Sequence, residues 1–394
     1  MTEPNIEQAD SGDVPKPRKL KPFRGNYVAE WFGHRLYPRV AASPPVLSAQ
    51  QERVCPFLSA MVGAERQCAK TAEASRGVCT INTNTPAGRQ DWPVCPHRVL
   101  DRALLVDAAK RLFGYNGSTA IALVPATAIG NLQERKQLHE NLLTGIPTVI
   151  FFHEKFGGEI DLGRGADSLS FSFDVTLIEL RVEGLGVSFG RYGIVEIQTA
   201  DFHGSYGDAT HGLLKALSEN GPDFHAEVAR DPTVAGRGIE TPNISNIFKR
   251  TFYQMMFKFQ IGLHGKSAGC ILILPKSVWL SWQAHLGRPT LDPRPDGTWQ
   301  LRETDSAVAD TDFPPAWIYV IELEDATDPQ PNRIKLWKVI ATDSKSFSHY
   351  ALDVAPKKML STGGPADRIM QTIEDRIAKY WPVLEREGGH DSLF

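Results

Sequence analysis

Two groups of residues have types and spacing suited to chemistry. The first begins in RYGIVEIQTADFHGS, residues 191–205, where apolar and polar residues alternate as in a strand and Glu196 and Gln198 stand at positions i and i+2. Such positions share one face of a strand, while Val195, Ile197 and Thr199 point to the other. Upstream, FSFDVTL carries Asp174, with twenty-one residues between it and Glu196. A hairpin would set Asp174 against Glu196. Two carboxylates converging beside an amide make a hard-oxygen site for Mg²⁺, a metal that takes one or two carboxylates together with substrate phosphates. That is the equipment of phosphodiester hydrolysis. The competing reading is a solvated strand face with one ion pair, and the spacing alone leaves both standing.

The second group is a set of cysteines. Four of the five, Cys55, Cys68, Cys79 and Cys95, fall within 41 residues, with 12, 10 and 15 residues between successive members. In a reducing compartment such a cluster points to metal rather than disulfides, and four thiolates suit a tetrahedral Zn or Fe. No CxxC pair is present, so a set of small buried thiols remains the alternative. Cys270, in the apolar run GCILILP, reads as a buried core thiol; a Cys-His hydrolase built on it lacks any nucleophile-elbow context.

The elements that must position these groups follow from composition and periodicity. The chain has 394 residues, 42% hydrophobic and 23% charged, with a net charge of -3. That is an ordinary globular balance with enough apolar residues for a full core, no run long enough for a membrane helix, and no basic-then-apolar leader at the start. A cytoplasmic location and no membrane function are expected. A near-neutral chain does not coat nucleic acid by bulk charge, but KPRKLKPFR concentrates Lys16, Arg18, Lys19, Lys21 and Arg24. Residues 1–25 therefore read as a flexible basic arm, either a solvated tail or a segment that reaches DNA phosphates. Residues 26–100 are rich in Cys, Pro and Arg with few periodic apolar runs, which suits a loop-rich metal-binding module without its own core.

From residue 101 onward the order is mixed α/β. PHRVLDRALLVDAAKRLFG, residues 96–114, has helical spacing and stops at Gly114, and NLQERKQLHENLLTG is a second helix closed by Gly145. TAIALVPAT is a short strand, and PTVIFFHEKFGGE an apolar segment ending in a Gly pair. SLSFSFDVTLIEL and YGIVEIQTADF form an antiparallel hairpin joined through VEGLGVSFGR, with Phe171, Phe173, Val175 and Leu177 on one apolar face and Asp174 opposite. SYGDATHGLLKALSEN is helical, and the helix in PNISNIFKRTFYQMMFKFQ has an apolar stripe of Ile244, Ile247, Phe248, Phe252, Met255 and Phe259, with Lys249 and Arg250 off it. GCILILP, AWIYVIELE and IKLWKVIAT are strands, SVWLSWQAHL and DRIMQTIEDRIAKYWP helices. The expected fold is a central mixed sheet flanked by helices, preceded by the small metal-binding module.

Asp, twenty-one residues, then Glu-x-Gln resembles the PD-(D/E)XK nuclease signature with Gln in place of Lys. Together with the cysteines and the words NYVAEWFGHRLYP, CPFLSA, SRGVC, DWPVCPHRVLD, FSFDVTL, RYGIVEIQTADFHGSY and PNISNIFKRTFYQM, the chain resembles the NotI-type type II restriction endonucleases from residue 26 to about 290. Beyond 290 the likeness thins.

The resemblance implies a restriction-endonuclease-like fold at 101–394 and Mg²⁺-dependent double-strand cleavage of a GC-rich palindromic DNA site. It also implies a structural Fe held by Cys55, Cys68, Cys79 and Cys95, and functional pairing with a cognate DNA methyltransferase in restriction-modification. It places the metal-binding acids on Asp174 and Glu196, a water-orienting amide on Gln198, and a further acid on Glu159. A palindromic site also favours a homodimer, each chain cutting one strand. His203 reads as structural or phosphate-contacting, and Glu154 as a turn acid. Two other readings stay open: a PD-(D/E)XK repair or mobile-element nuclease with little sequence preference, and a metal-stabilised DNA-binding protein without catalysis.

Overall fold

The computed structural model describes residues 23–37, 42–85, 88–163, 171–184, 186–303, 314–324, 329–361, 363 and 365–380. Of the basic arm, Lys16, Arg18, Lys19 and Lys21 lie outside the described residues.

Strands β1 (Tyr27–Trp31), β2 (His34–Arg35), β3 (Val78–Thr85) and β4 (Gly88–Pro93) form an antiparallel sheet in the order β2-β1-β3-β4. Val28, Ala29, Trp31, Val78 and Ile81 are fully buried in it and share one apolar core with Phe202, Leu213 and Phe224. The expected loop-rich unit without a core is thereby corrected. Apolar residues in YVAEWF and VCTI supply a core, and it runs on into the rest of the protein. A buried ion pair adds to it: Arg98 Nε lies 3.0 Å from Glu30 Oε2, and the Thr80 hydroxyl donates to the same carboxylate.

Eleven further strands follow: β5 (Ala122–Pro125), β6 (Thr148–His153), β7 (Ile160–Leu162), β8 (Phe171–Phe173), β9 (Val175–Glu183), β10 (Gly186–Ile197), β11 (Ser267–Pro275), β12 (Asp292–Pro293), β13 (Trp299–Gln300), β14 (Ala316–Glu324) and β15 (Arg333–Thr342). The pair β7-β8 is a separate ribbon; the rest form one mixed sheet in the order β12-β13-β15-β14-β11-β10-β9-β6-β5. Its middle is buried on both faces. Cys270, Leu272 and Leu274 of β11 face one core while Ile271 and Ile273 face the other, and β14 divides its residues the same way. Two-sided burial is why GCILILP reads as an unbroken apolar run rather than an alternating one. The Ile244–Ile261 and Lys276–Trp282 helices cover the first face, and the Arg102–Phe113 helix the second. The mixed α/β class with helices around a large mixed sheet is as expected. Among the described residues no helix is long and apolar enough to cross a membrane.

Local chemistry explains two departures from the expected elements. The single helix over 96–114 is two, Pro96–Val99 and Arg102–Phe113. Asp101 breaks it: its carboxylate accepts the Leu104 N–H at 2.9 Å and caps a new helix, which ends at Gly114 in the left-handed region. The long glycine-rich connection VEGLGVSFGR is mostly strand, because Val182 pairs with Val187 and Leu180 with Phe189, leaving only a tight turn after Glu183. Gly193, within β10, admits the helix behind it: a Cβ there would sit 2.8 Å from Leu112 Cδ1. The closing helix is present at Arg368–Ile377, with none of its residues buried.

Candidate active site

Antiparallel pairing of β9 with β10 sets Ile194 opposite Thr176 and Val195 opposite Val175, so the next residues, Asp174 and Glu196, meet at the end of the ladder. The chain bends at Asp174, between β8 and β9. That bend corrects the expected single apolar face: Phe173 packs on the side of the Ile244–Ile261 helix, whereas Val175 and Leu177 join the opposite core. Strand alternation fails there because the Asp174 carboxylate turns inward, its Oδ2 accepting the Ile197 N–H at 2.7 Å. Glu196 and Gln198, both on the Phe173 side, do share a face.

The residues open onto a cleft of about 450 Å³ lined by Asp174, Glu196, Gln198, Arg250, Gln254 and Lys258, among others. Glu196 is 6% exposed, and Lys258, 3% exposed, places Nζ 2.6 Å from Glu196 Oε2. Glu196 Oε1 is buried with no hydrogen-bond partner. Burial, together with the charge of Asp174, pushes the Glu196 carboxyl up to about 8 against the opposing pull of Lys258. One lysine therefore does not satisfy the two carboxylates. Two facing carboxylates, one with a buried oxygen that no donor satisfies, suit Mg²⁺, which takes one or two carboxylates and completes its shell with waters and phosphate oxygens.

Gln198 is more constrained than a free water-orienting amide. Its Oε1 accepts from the Thr251 hydroxyl, its Nε2 donates to Thr199 O at 2.6 Å, and its backbone N–H donates to Ile273 O at 2.9 Å. One amide hydrogen remains for a ligand. Both side-chain partners of the Glu-x-Gln pair beyond the strand come from the Ile244–Ile261 helix, where Thr251 and Lys258, two turns apart, interrupt the buried stripe of Ile247, Phe248, Met255 and Phe259. Sequence reasoning passed over Lys258. Its signal was there: a lysine three residues after Met255, on the face that must be buried.

The other expected residues divide. Glu159 is exposed and does not line the cleft, although β7 pairs Ile160 with Phe173, so the next position of that register sets Glu159 opposite Asp174. Glu154 is exposed and paired with Lys155, and His203 is exposed, away from the cleft lining. Arg250 lines the cleft and Lys249 does not. Cys270 is completely buried and its thiol is pushed well above its ordinary range by that burial, which suits a core residue rather than a nucleophile.

The four clustered cysteines come together. Cys55, Cys68, Cys79 and Cys95, with Lys70 and His97, line one small cavity of about 10 Å³. Contact with Cys79 pulls the Cys95 thiol down from its ordinary value, and the same contact together with burial holds Cys79 up. Burial pushes Cys55 up to about 11. Among the described residues no group of three or more His, Cys, Asp or Glu side chains is arranged to hold a metal ion; four thiols on one cavity wall are the donor type that a thiophilic ion takes. Pro96, the residue after Cys95, lines the cleft, and the Ala200 N–H beyond Gln198 donates to Pro93 O at 2.8 Å. No protein-family model matches the chain, and no curated protein matches it in sequence.

Proposed function

We propose that the protein is a Mg²⁺-dependent site-specific deoxyribonuclease of the type II restriction class, with a PD-(D/E)XK-like centre at Asp174, Glu196 and Gln198. The observation that carries this reading is the meeting of two carboxylates, one with an orphaned buried oxygen, in a cleft whose other polar lining is cationic or neutral. Asp174 and Glu196 would hold Mg²⁺, which when bound polarises the phosphoryl group and lowers the pKa of an attacking water. The chain's own residues do the positioning. Asp174 is fixed by the Ile197 N–H, and Gln198, pinned by Thr251 and Thr199 O, offers its remaining N–H to the water. Arg250, at the cleft, meets a backbone phosphate. Glu159, opposite Asp174 where the β7-β8 register continues, is the candidate for a second metal position.

Cys55, Cys68, Cys79 and Cys95 would hold a structural Fe or Zn that fixes Pro96 and the Pro93–Ala200 contact, and with them one wall of the cleft. Lys70 offsets the negative charge of the thiolates. Double-stranded DNA is the partner, read by a homodimer whose two chains each cut one strand of a palindrome. The experiment is digestion of a sequenced phage genome with Mg²⁺, followed by run-off sequencing of the ends. Discrete fragments with one common end sequence are expected; smears would favour a nuclease of low specificity, and intact DNA would remove the reading.

A further inference from the structure

Resting on that nuclease reading, we infer that Lys258, delivered from the Ile244–Ile261 helix, supplies the positive charge that Gln198 does not. The helix face it occupies is otherwise built from Ile247, Phe248, Met255 and Phe259, so a lysine there gives up apolar burial and sets a charge in a site of low dielectric. It is aimed: Nζ lies 2.6 Å from Glu196 Oε2 and 5.7 Å from the Phe173 ring centre, and the side chain forms part of the cleft lining. Gln198, by contrast, is neutral and has its carbonyl and one amide hydrogen already engaged. The two interruptions of the apolar stripe divide the labour, Thr251 fixing the amide and Lys258 bringing the charge.

In the reaction the oxygen of water bonds to phosphorus and the P–O3′ bond breaks. The water loses a proton to solvent, and the 3′-oxygen gains one, leaving a 5′-phosphate and a 3′-hydroxyl. Lys258 takes no part in these proton transfers and stabilises the charge that gathers on the phosphoryl oxygens, a role that adds to the transition state more than to DNA binding.

The test moves the charge. Wild-type protein, Lys258→Met, Gln198→Lys and the double variant are compared on phage DNA with Mg²⁺ in single-turnover cleavage, and with Ca²⁺ in binding to one fragment that carries the mapped site. Thermal melts show that each variant is folded. Lys258→Met is expected to cut about 100-fold more slowly with binding within about three-fold of wild type, and adding Gln198→Lys is expected to recover at least about ten-fold of that rate. Lys258→Met cutting within about three-fold of wild type would overturn the assignment while leaving the nuclease reading intact. So would a loss of cleavage that Gln198→Lys does not repair in a folded, DNA-binding double variant, or a Lys258→Met protein that melts early and that Lys258→Arg restores in stability but not in cleavage. A wild-type protein that leaves DNA intact removes both the nuclease reading and this inference.

Discussion

Replacing Glu196 with Gln removes one ionisation and almost no volume, which makes the metal-free protein a sensitive test of the site's electrostatics. Burial and Asp174 push the folded-state carboxyl from 4.5 up to about 8, with Lys258 in opposition. Between those values the folded chain keeps a proton that the unfolded chain has released, so this group's contribution to stability falls as pH rises across the window and levels off above about 8. One pH unit corresponds to about 1.4 kcal/mol, so from about pH 5 to about pH 7 wild type should lose ~3 kcal/mol that Glu196→Gln, with nothing to titrate there, retains. At the low end the two should be nearly equally stable, because the neutral acid and the amide present the same charge to Lys258. Equilibrium urea denaturation in EDTA, followed by tryptophan fluorescence, measures both proteins at each pH. Saturating Mg²⁺ at about pH 8 should restore the wild type and leave the variant unmoved. Parallel pH profiles in EDTA would refute the reasoning and show that Lys258 keeps Glu196 ionised throughout.

Asp174→Ala should lower Mg²⁺-dependent cleavage by about 1,000-fold or more while Ca²⁺-supported DNA binding is retained, since the lost carboxylate acts on the metal rather than on the duplex; binding and cleavage assays on one fragment separate the two. Purified protein should carry about one Fe or Zn per chain by atomic spectrometry, and Cys79→Ser or Cys95→Ser should lose it together with several degrees of melting temperature. Wild type that purifies without metal and melts no higher than the Cys variants would count against the centre. Arg98→Met, which strands the fully buried Glu30 carboxylate, should cost about 3–5 kcal/mol in urea denaturation.

Features that depend on short-range periodicity were legible along the chain. Alternation in YGIVEI put Glu196 and Gln198 on one face, and the hairpin brought Asp174 to them, because antiparallel register follows from the two strands and their turn. Apolar stripes placed the main helices and strands correctly. Boundaries failed where one polar side chain redirected the backbone: Asp101 restarted a helix, and Asp174 bent a strand so that Phe173 and Val175 parted to opposite cores. What distant segments bring to one point was not legible there. It took folding to draw four widely spaced cysteines around one small cavity. Folding also set Pro96 in the cleft wall and gave Glu196 a lysine sixty-two positions away. Spacing along the chain carries no information about such a contact, since a helix packed across a sheet pairs residues by the geometry of the two surfaces. A lysine on a buried stripe was the one local sign that a partner had to exist.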